Sequence, residues 1–215
     1  MGQYYKPINI DKKQYVYSHD FGNGLKLMEH SYVGNHFVNA VESLLCEGGA
    51  WHGDRIVWAG DYADPEKGAR AKRYKDSSGQ MKSFKPNLFD LIDDGVKKEM
   101  RIKPDMTEKN HRFVINLDTK QFVDTEKVPL TDVYTDEHGK EWPFTIHPLP
   151  ILTCEGNGRG GGDLHKEDPL VGTWARQRVV VSDTKPEGFK ELKFNIYEGS
   201  KPAKLSKPKK AKVTA

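Results

Sequence analysis

The sequence predicts an α+β fold: a mainly antiparallel sheet with one or two packed helices and an internal pseudo-duplication. Three observations carry that prediction. Short segments alternate apolar and polar residues between turn formers, one stretch has clear helical periodicity, and the two halves of the chain echo each other. The chain has 215 residues, enough to bury a core without staples, although 30% of them are charged, which predicts sizeable solvated segments.

Tyr4 to Ser18 reads as a β-hairpin. Ile8 and Ile10 alternate with polar residues, Asp11-Lys12-Lys13 supplies the turn, and Tyr15 and Tyr17 alternate on the return strand. His19 to Gly24 is a loop with two glycines, and Leu25 to Glu29 reads as a short strand. The best helix runs from His36 to Cys46, where Phe37, Val41, Leu44 and Leu45 form one apolar stripe. Asn35 suits its N-cap and Gly48 its C-terminal stop. Arg55 to Ala59 is a short apolar strand, expected to be buried.

Tyr62 to His111 is crowded with charge and reads as an excursion from the main fold: a lid, a partner surface or a solvated decoration. Ser77-Ser78-Gly79 is loop-like, and a helix is predicted near Asn87 to Glu99 with Leu88, Leu91, Ile92 and Val96 on one face. Phe113 to Thr125 is a second hairpin. Phe144 to Cys154 is expected to be extended, because Pro143, Pro148 and Pro150 argue against a regular helix. Strands are predicted at Gln177 to Val181 and Glu191 to Tyr197, joined by the turn Asp183 to Gly188.

The echo has three anchors. Ile8 to Val16 aligns with Ile115 to Val123 at an offset of 107, with six of nine residues identical. Cys46-Glu47-Gly48 recurs as Cys154-Glu155-Gly156. Trp51 with Arg55-Ile56-Val57 recurs as Trp174 with Arg178-Val179-Val180. Shared turn chemistry alone explains a hairpin match; three matches in one order point to duplication. The predicted organisation is one folded domain over residues 1–199, with halves at about 3–61 and 112–198 and the charged excursion at 62–111. Residues 200–215 form a disordered basic tail with six lysines and no acid, which leaves the body 28 basic against 31 acidic residues.

No run approaches the ~18 apolar residues of a membrane span, and Met1 to Asn9 lacks the apolar core of a secretory signal. Cys46 and Cys154 make neither a disulfide framework nor a zinc spacing and read as two buried thiols. A cytoplasmic protein is expected.

The most unusual stretch is Gly156-Asn157-Gly158-Arg159-Gly160-Gly161-Gly162-Asp163. Such glycine density lets backbone N–H groups converge on an anion, with Gly158, Arg159, Gly160, Gly161 and Gly162 as the ligand-binding candidates. A dinucleotide fingerprint is excluded because no helix opens after it, and a P-loop is excluded for want of Lys-Ser/Thr. A loop that merely needs glycine stays open as the alternative. Asp61 and Asp64 follow a buried strand and, with Asp163, are the catalytic candidates for general acid–base work; capping a turn is the plainer role. His19, Asp20 and His30 are the metal candidates, although no histidine pair has diagnostic spacing. No cofactor is indicated. The tail offers non-specific attraction to nucleic acid, without interleaved aromatics for stacking, or else serves only to solubilise the chain.

Met1-Gly2-Gln3-Tyr4-Tyr5-Lys6, Leu25-Lys26-Leu27-Met28-Glu29-His30, Trp58-Ala59-Gly60-Asp61-Tyr62-Ala63-Asp64 and Asn157 to Asp163 resemble a group of uncharacterised bacterial and phage-type proteins. The resemblance implies no activity, cofactor or catalytic residue. Three functions are therefore expected as alternatives: a non-catalytic binding protein for an anionic small molecule or nucleic acid, a carboxylate-based hydrolase with or without a metal, or a protein-interaction or inhibitor module using 62–111. No membrane partner is expected.

Overall fold

A computed structural model describes residues 3–93, 101–105, 107, 109–135, 138–156 and 169–196. In chain order the first half contains β1 (Tyr5–Asn9), β2 (Gln14–Tyr15), α1 (Leu27–His30), α2 (His36–Leu45) and β3 (Arg55–Gly60). The excursion contains β4 (Lys72–Lys75), β5 (Met81–Phe84) and α3 (Leu88–Asp93). The second half contains β6 (Phe113–Asn116), β7 (Gln121–Asp124), β8 (Asp132–Thr135), β9 (Glu141–Phe144), α4 (Pro148–Thr153), β10 (Cys154–Glu155), β11 (Gln177–Ser182) and β12 (Lys190–Glu191). The fold is α+β and mainly sheet, as expected.

Eight strands form one mixed sheet in the order β12-β7-β6-β11-β3-β1-β2, with β10 pairing in parallel with β3 on the edge away from β1. The ribbons β4–β5 and β8–β9 stand as separate two-stranded sheets. No helix among the described residues is long and apolar enough to cross a membrane.

Both predicted hairpins form, and both turn on an asparagine. Asn9 Oδ1 accepts from the Lys12 amide at 2.8 Å, and Asn116 Oδ1 accepts from the Asp118 and Thr119 amides at 2.9 and 3.0 Å. Such local bonds are what make Asn a turn former. The turns end on Lys13 and Lys120, with φ of 56° and 52°. The register is the same in both halves. Asn9 lies opposite Gln14 and Ile56; Asn116 lies opposite Gln121 and Val179. β3 and β11 meet antiparallel with Arg55 opposite Arg178, so the two echoing arginines are each other's cross-strand neighbours.

One face of the sheet holds the main core, in which Trp51, Trp58 and Trp174 are fully buried with Phe37, Leu45, Leu149 and Leu152. Each ring of that size removes about 150–250 Å² from water. The opposite face carries two smaller clusters: Ile8, Val57 and Ala59 under Phe89 and Ile92 of α3, and Phe113, Ile115, Phe122 and Val180.

Several expectations are corrected. The segment before Cys154 is not extended throughout, for α4 forms at Pro148–Thr153. Pro148 and Pro150 occupy the first and third helical positions, where the N–H groups have no intrahelical partner, so no bond is lost. His147 caps the helix, its Nδ1 accepting from the Leu149 amide at 3.1 Å. α4 ends at Cys154 as α2 ends at Cys46, and both thiols donate to the carbonyl three residues back. The first half's helix thus has a counterpart after all. Leu27–His30 is helical rather than extended, held by Glu29 folding back onto the Lys26 amide at 3.0 Å. In α3 the buried residues are Phe89 and Ile92, while Leu91 is exposed; Val96 lies outside the described residues. The last strand is only Lys190–Glu191, parallel to β7. β4–β5 is a ribbon that the sequence pattern did not predict.

Candidate functional site

The carboxyl ends of the parallel neighbours β3 and β10 and the amino end of β1 meet at one end of the sheet. Glu155 lies opposite Ala59, so Gly60-Asp61 and Gly156 leave the sheet side by side. The Gln3 side chain is packed between those glycines. A Cβ on Gly60 would come 2.1 Å from Gln3 Nε2, and one on Gly156 would come 2.3 Å from the same atom. Neither position tolerates any side chain while Gln3 stays in place. Gln3 is 4% exposed, and among the described residues its Nε2 finds no acceptor.

Asp61 projects beside this point. Its Oδ1 accepts from the Tyr4 amide at 2.9 Å, and its backbone carbonyl accepts from Asn87 Nδ2 at 2.9 Å. Partial burial pushes the Asp61 carboxyl above the usual carboxylate range, against the Tyr4 bond, and Asp90 adds to the rise. Asp64 is exposed beyond the turn that Ala63 closes onto Gly60.

Arg176 sits on the other side of Glu155. It is held in the left-handed region with φ of 64°, where its amide donates to Ile56 at 2.9 Å. Its guanidinium spans two carboxylates: Glu155, at 2.5 and 2.7 Å, and Glu66, with one bond of 3.1 Å and a second, shorter one. Those hydrogen bonds raise the arginine's pKa further still. Arg176 therefore joins the root of the charged excursion to the residue that precedes the Gly-rich loop. Nothing in its neighbourhood of the sequence signalled this role. Gly158, Arg159, Gly160, Gly161, Gly162 and Asp163 lie outside the described residues.

The metal candidates are not brought together. The His19 ring packs edge-on against Tyr17 at 4.8 Å. Asp20 clamps Arg101 through two bonds, Nε at 2.9 Å. His30 is fully buried: Nε2 accepts from Trp58 Nε1 at 3.1 Å, so Nδ1 carries the proton and faces the Gly24 carbonyl at 3.2 Å. Burial pushes its pKa down to about 4. Both ring nitrogens are occupied, leaving no lone pair for a ligand.

Sequence reasoning missed a buried Glu–His cluster. Glu42, in the polar gap of the α2 pattern, lies with Oε1 3.1 Å from His147 Nε2 and Oε2 3.1 Å from the His111 amide, which donates to it. Because His147 Nδ1 accepts from Leu149, its proton sits on Nε2; the N–H is not aimed along the line to Glu42, and neither atom completes a hydrogen bond. Burial pushes the Glu42 carboxyl up, but His147 and the His111 bonds outweigh it and hold it below the usual range. The cluster ties α2 to the cap of α4. Among the described residues no group of three His, Cys, Asp or Glu side chains is suited to a metal ion.

No family model, curated protein or solved structure matches the chain.

Proposed function

We propose that the protein is a non-catalytic binding protein for an anionic ligand, a nucleotide or nucleic acid, held by the Gly-rich loop 156–163. The observation that carries this reading is the place where the loop begins. Gly156 leaves the sheet next to β3, against a buried amide of Gln3 that finds no acceptor among the described residues. A buried donor without an acceptor costs about 1–3 kcal/mol, and an anionic oxygen at this sheet end would supply one. Arg176 is committed to Glu155 and Glu66, so the candidate cation for the ligand is Arg159 of the loop sequence. Thermal shift with a panel of nucleotides tests the reading. Wild type should be stabilised by about 2.7 kcal/mol at a hundredfold excess over Kd, and Arg159→Ala should lose that gain. No shift in either protein sinks it.

A second reading has one observation in its favour, the raised pKa of Asp61 at the same sheet end. A carboxyl whose affinity for its proton is raised is shifted in the direction that general acid catalysis requires, and Asp61, Asp64 and Asp163 would then serve a carboxylate-based hydrolase, with or without a metal. Metal analysis of the purified protein with an EDTA-treated activity screen separates the two readings: metal-free protein, indifferent to EDTA in any activity found, ends the metal version.

We also propose that the halves descend from one duplicated unit. The common register and the paired helix ends support this.

A further inference from the structure

The β4–β5 ribbon stands apart from the main sheet. Lys72 pairs with Phe84, Arg73 with Ser83, Tyr74 with Lys82 and Lys75 with Met81. From Lys67 to Lys85 there are seven lysines and arginines and a single acid, Asp76; the remainder of residues 1–199 carries 21 basic against 30 acidic residues. Positive charge is thus concentrated on one projecting element of an otherwise acidic body. The one acid is spent on the turn. Asp76 accepts from the Ser78 and Gln80 amides at 2.9 and 3.0 Å and pairs with Lys82 at 3.0 Å.

Cross-strand pairing puts Lys72, Tyr74, Lys82 and Phe84 on one face. The Tyr74 and Phe84 rings touch edge-on at 5.9 Å yet stay 47% and 39% exposed. The other face presents Arg73, Lys75 and Met81, all exposed. Rings with no core to join, set among cations, match a ligand that brings both negative charge and flat apolar surface. Single-stranded nucleic acid has both: phosphates draw lysine and arginine through counterion release, and unpaired bases stack on aromatic rings. A duplex hides its base faces and would leave Tyr74 and Phe84 unused.

We infer that the β4–β5 ribbon is a docking surface for single-stranded nucleic acid, with bases stacking on Tyr74 and Phe84 and phosphates drawn by Lys82 on that face and, around the edge of the two-stranded ribbon, by Arg73 and Lys75 of the other. The surface goes beyond the Gly-rich loop and stands without it, although the two share a root. The Glu66 amide donates to the Pro86 carbonyl at 3.0 Å, and the Glu66 carboxylate is held by Arg176, next to the start of the loop.

The test is fluorescence anisotropy of a labelled oligothymidylate on the full-length chain, across a salt series. The tail lysines attract any polyanion, so the deciding variant changes no charge. Tyr74→Leu with Phe84→Leu should weaken binding at least about fivefold, the low end for removing one base stack, with the salt slope kept. Arg73→Gln with Lys75→Gln should flatten the slope by about 0.7 for each phosphate that is no longer neutralised. All four side chains are exposed, so melting temperatures should match wild type. Three results overturn the inference: no binding at low salt, unchanged affinity in the double leucine variant, or a blunt duplex bound as tightly as the single strand. The second of these would assign the rings to a protein partner instead. Arg159→Ala runs alongside. Loss of oligonucleotide binding in that variant alone overturns the ribbon and leaves the loop reading standing; loss in the ribbon variants supports the ribbon whatever the loop does.

Discussion

The two halves share a frame and differ in what covers it. In both, an asparagine-closed hairpin lies beside a central strand in the same register, and a helix ends on a cysteine whose thiol bonds back into its last turn. The outer face is where they part. Phe113 stacks edge-on against Phe122 at 5.8 Å in the second half. In the first half the equivalent places hold Lys6 and Tyr15, and the buried Lys6 ammonium lies 5.5 Å from the Tyr15 ring and 4.1 Å from Phe89 of α3. An ammonium among aromatic faces gains a favourable electrostatic contact, and α3 shields it. α2 has ten residues with Glu42 buried inside, while α4 has six, with Pro150 at the equivalent place. Backbone pairing and turn chemistry fix the frame, while side chains on the covered face are free to diverge as long as something seals them. The excursion that seals the first half also carries the exposed ribbon.

The hardest way to break this equivalence is at the paired tryptophans. Trp51 and Trp174 are both buried, and each amide donates at 2.7 Å to the preceding helix, to Leu44 and Leu152 respectively. Trp51→Ala and Trp174→Ala should each cost about 3–5 kcal/mol in urea unfolding, the range for emptying such a site. Equal penalties would show that the two tryptophan sites are equivalent in the core. A gap of more than about 3 kcal/mol, outside the scatter of roughly 2 kcal/mol among core truncations of one chemistry, would show that the two cores are not interchangeable.

How much of this was legible depended on whether one face was buried. β3 and β11 read as apolar strands and α2 as a stripe, because each has a wet and a dry side or is wholly dry. The β4–β5 ribbon is exposed on both faces and therefore has no alternation to read. α4 was hidden by a sound rule applied in the wrong place, since proline breaks helix interiors and not first turns. At the candidate site, Asp61 was legible from its position at a strand end. Gln3 was not, because only the close approach of Gly60 and Gly156 gives it meaning. Arg176 was equally silent: a non-glycine residue in the left-handed region is set by the tertiary contacts of its side chain and amide.

A smaller effect separates the halves by pH. His30 accepts from Trp58, whose counterpart in β11 is Val181, a residue with no side-chain donor. Its pKa is about 4 in the fold against an ordinary 6.5. Below pH 6.5 the unfolded chain takes up a proton that the folded chain refuses. Stability should therefore be full above 6.5 and should fall as pH drops toward 4, by about 1.4 kcal/mol per unit and about 3 kcal/mol at most. His30→Gln should flatten that limb of the pH–stability curve, whatever it costs at neutral pH. An unchanged slope would place the acid sensitivity elsewhere.

The smallest effect is the most direct test of the shared frame. Arg55 donates its amide to Asp11 Oδ2 and its Nε to Oδ1, at 2.8 and 2.9 Å. Arg178 does the same to Asp118, at 2.8 and 2.7 Å. Each arginine holds its partner's carboxyl below the usual range, and each clamp bolts a hairpin turn to the neighbouring central strand. Both pairs are solvent-exposed, so solvent and salt screen them. Arg55→Ala and Arg178→Ala should each lower the melting temperature slightly, by equal amounts, with the loss shrinking as salt is raised. Arg55 and Arg178 lie opposite each other across β3 and β11, so each single variant already relieves their like-charge contact, and the sum of the two counts that relief twice. The double variant should therefore cost more than the two single variants together; a penalty that simply adds would mean that the clamps do not feel each other across the joint where the halves meet.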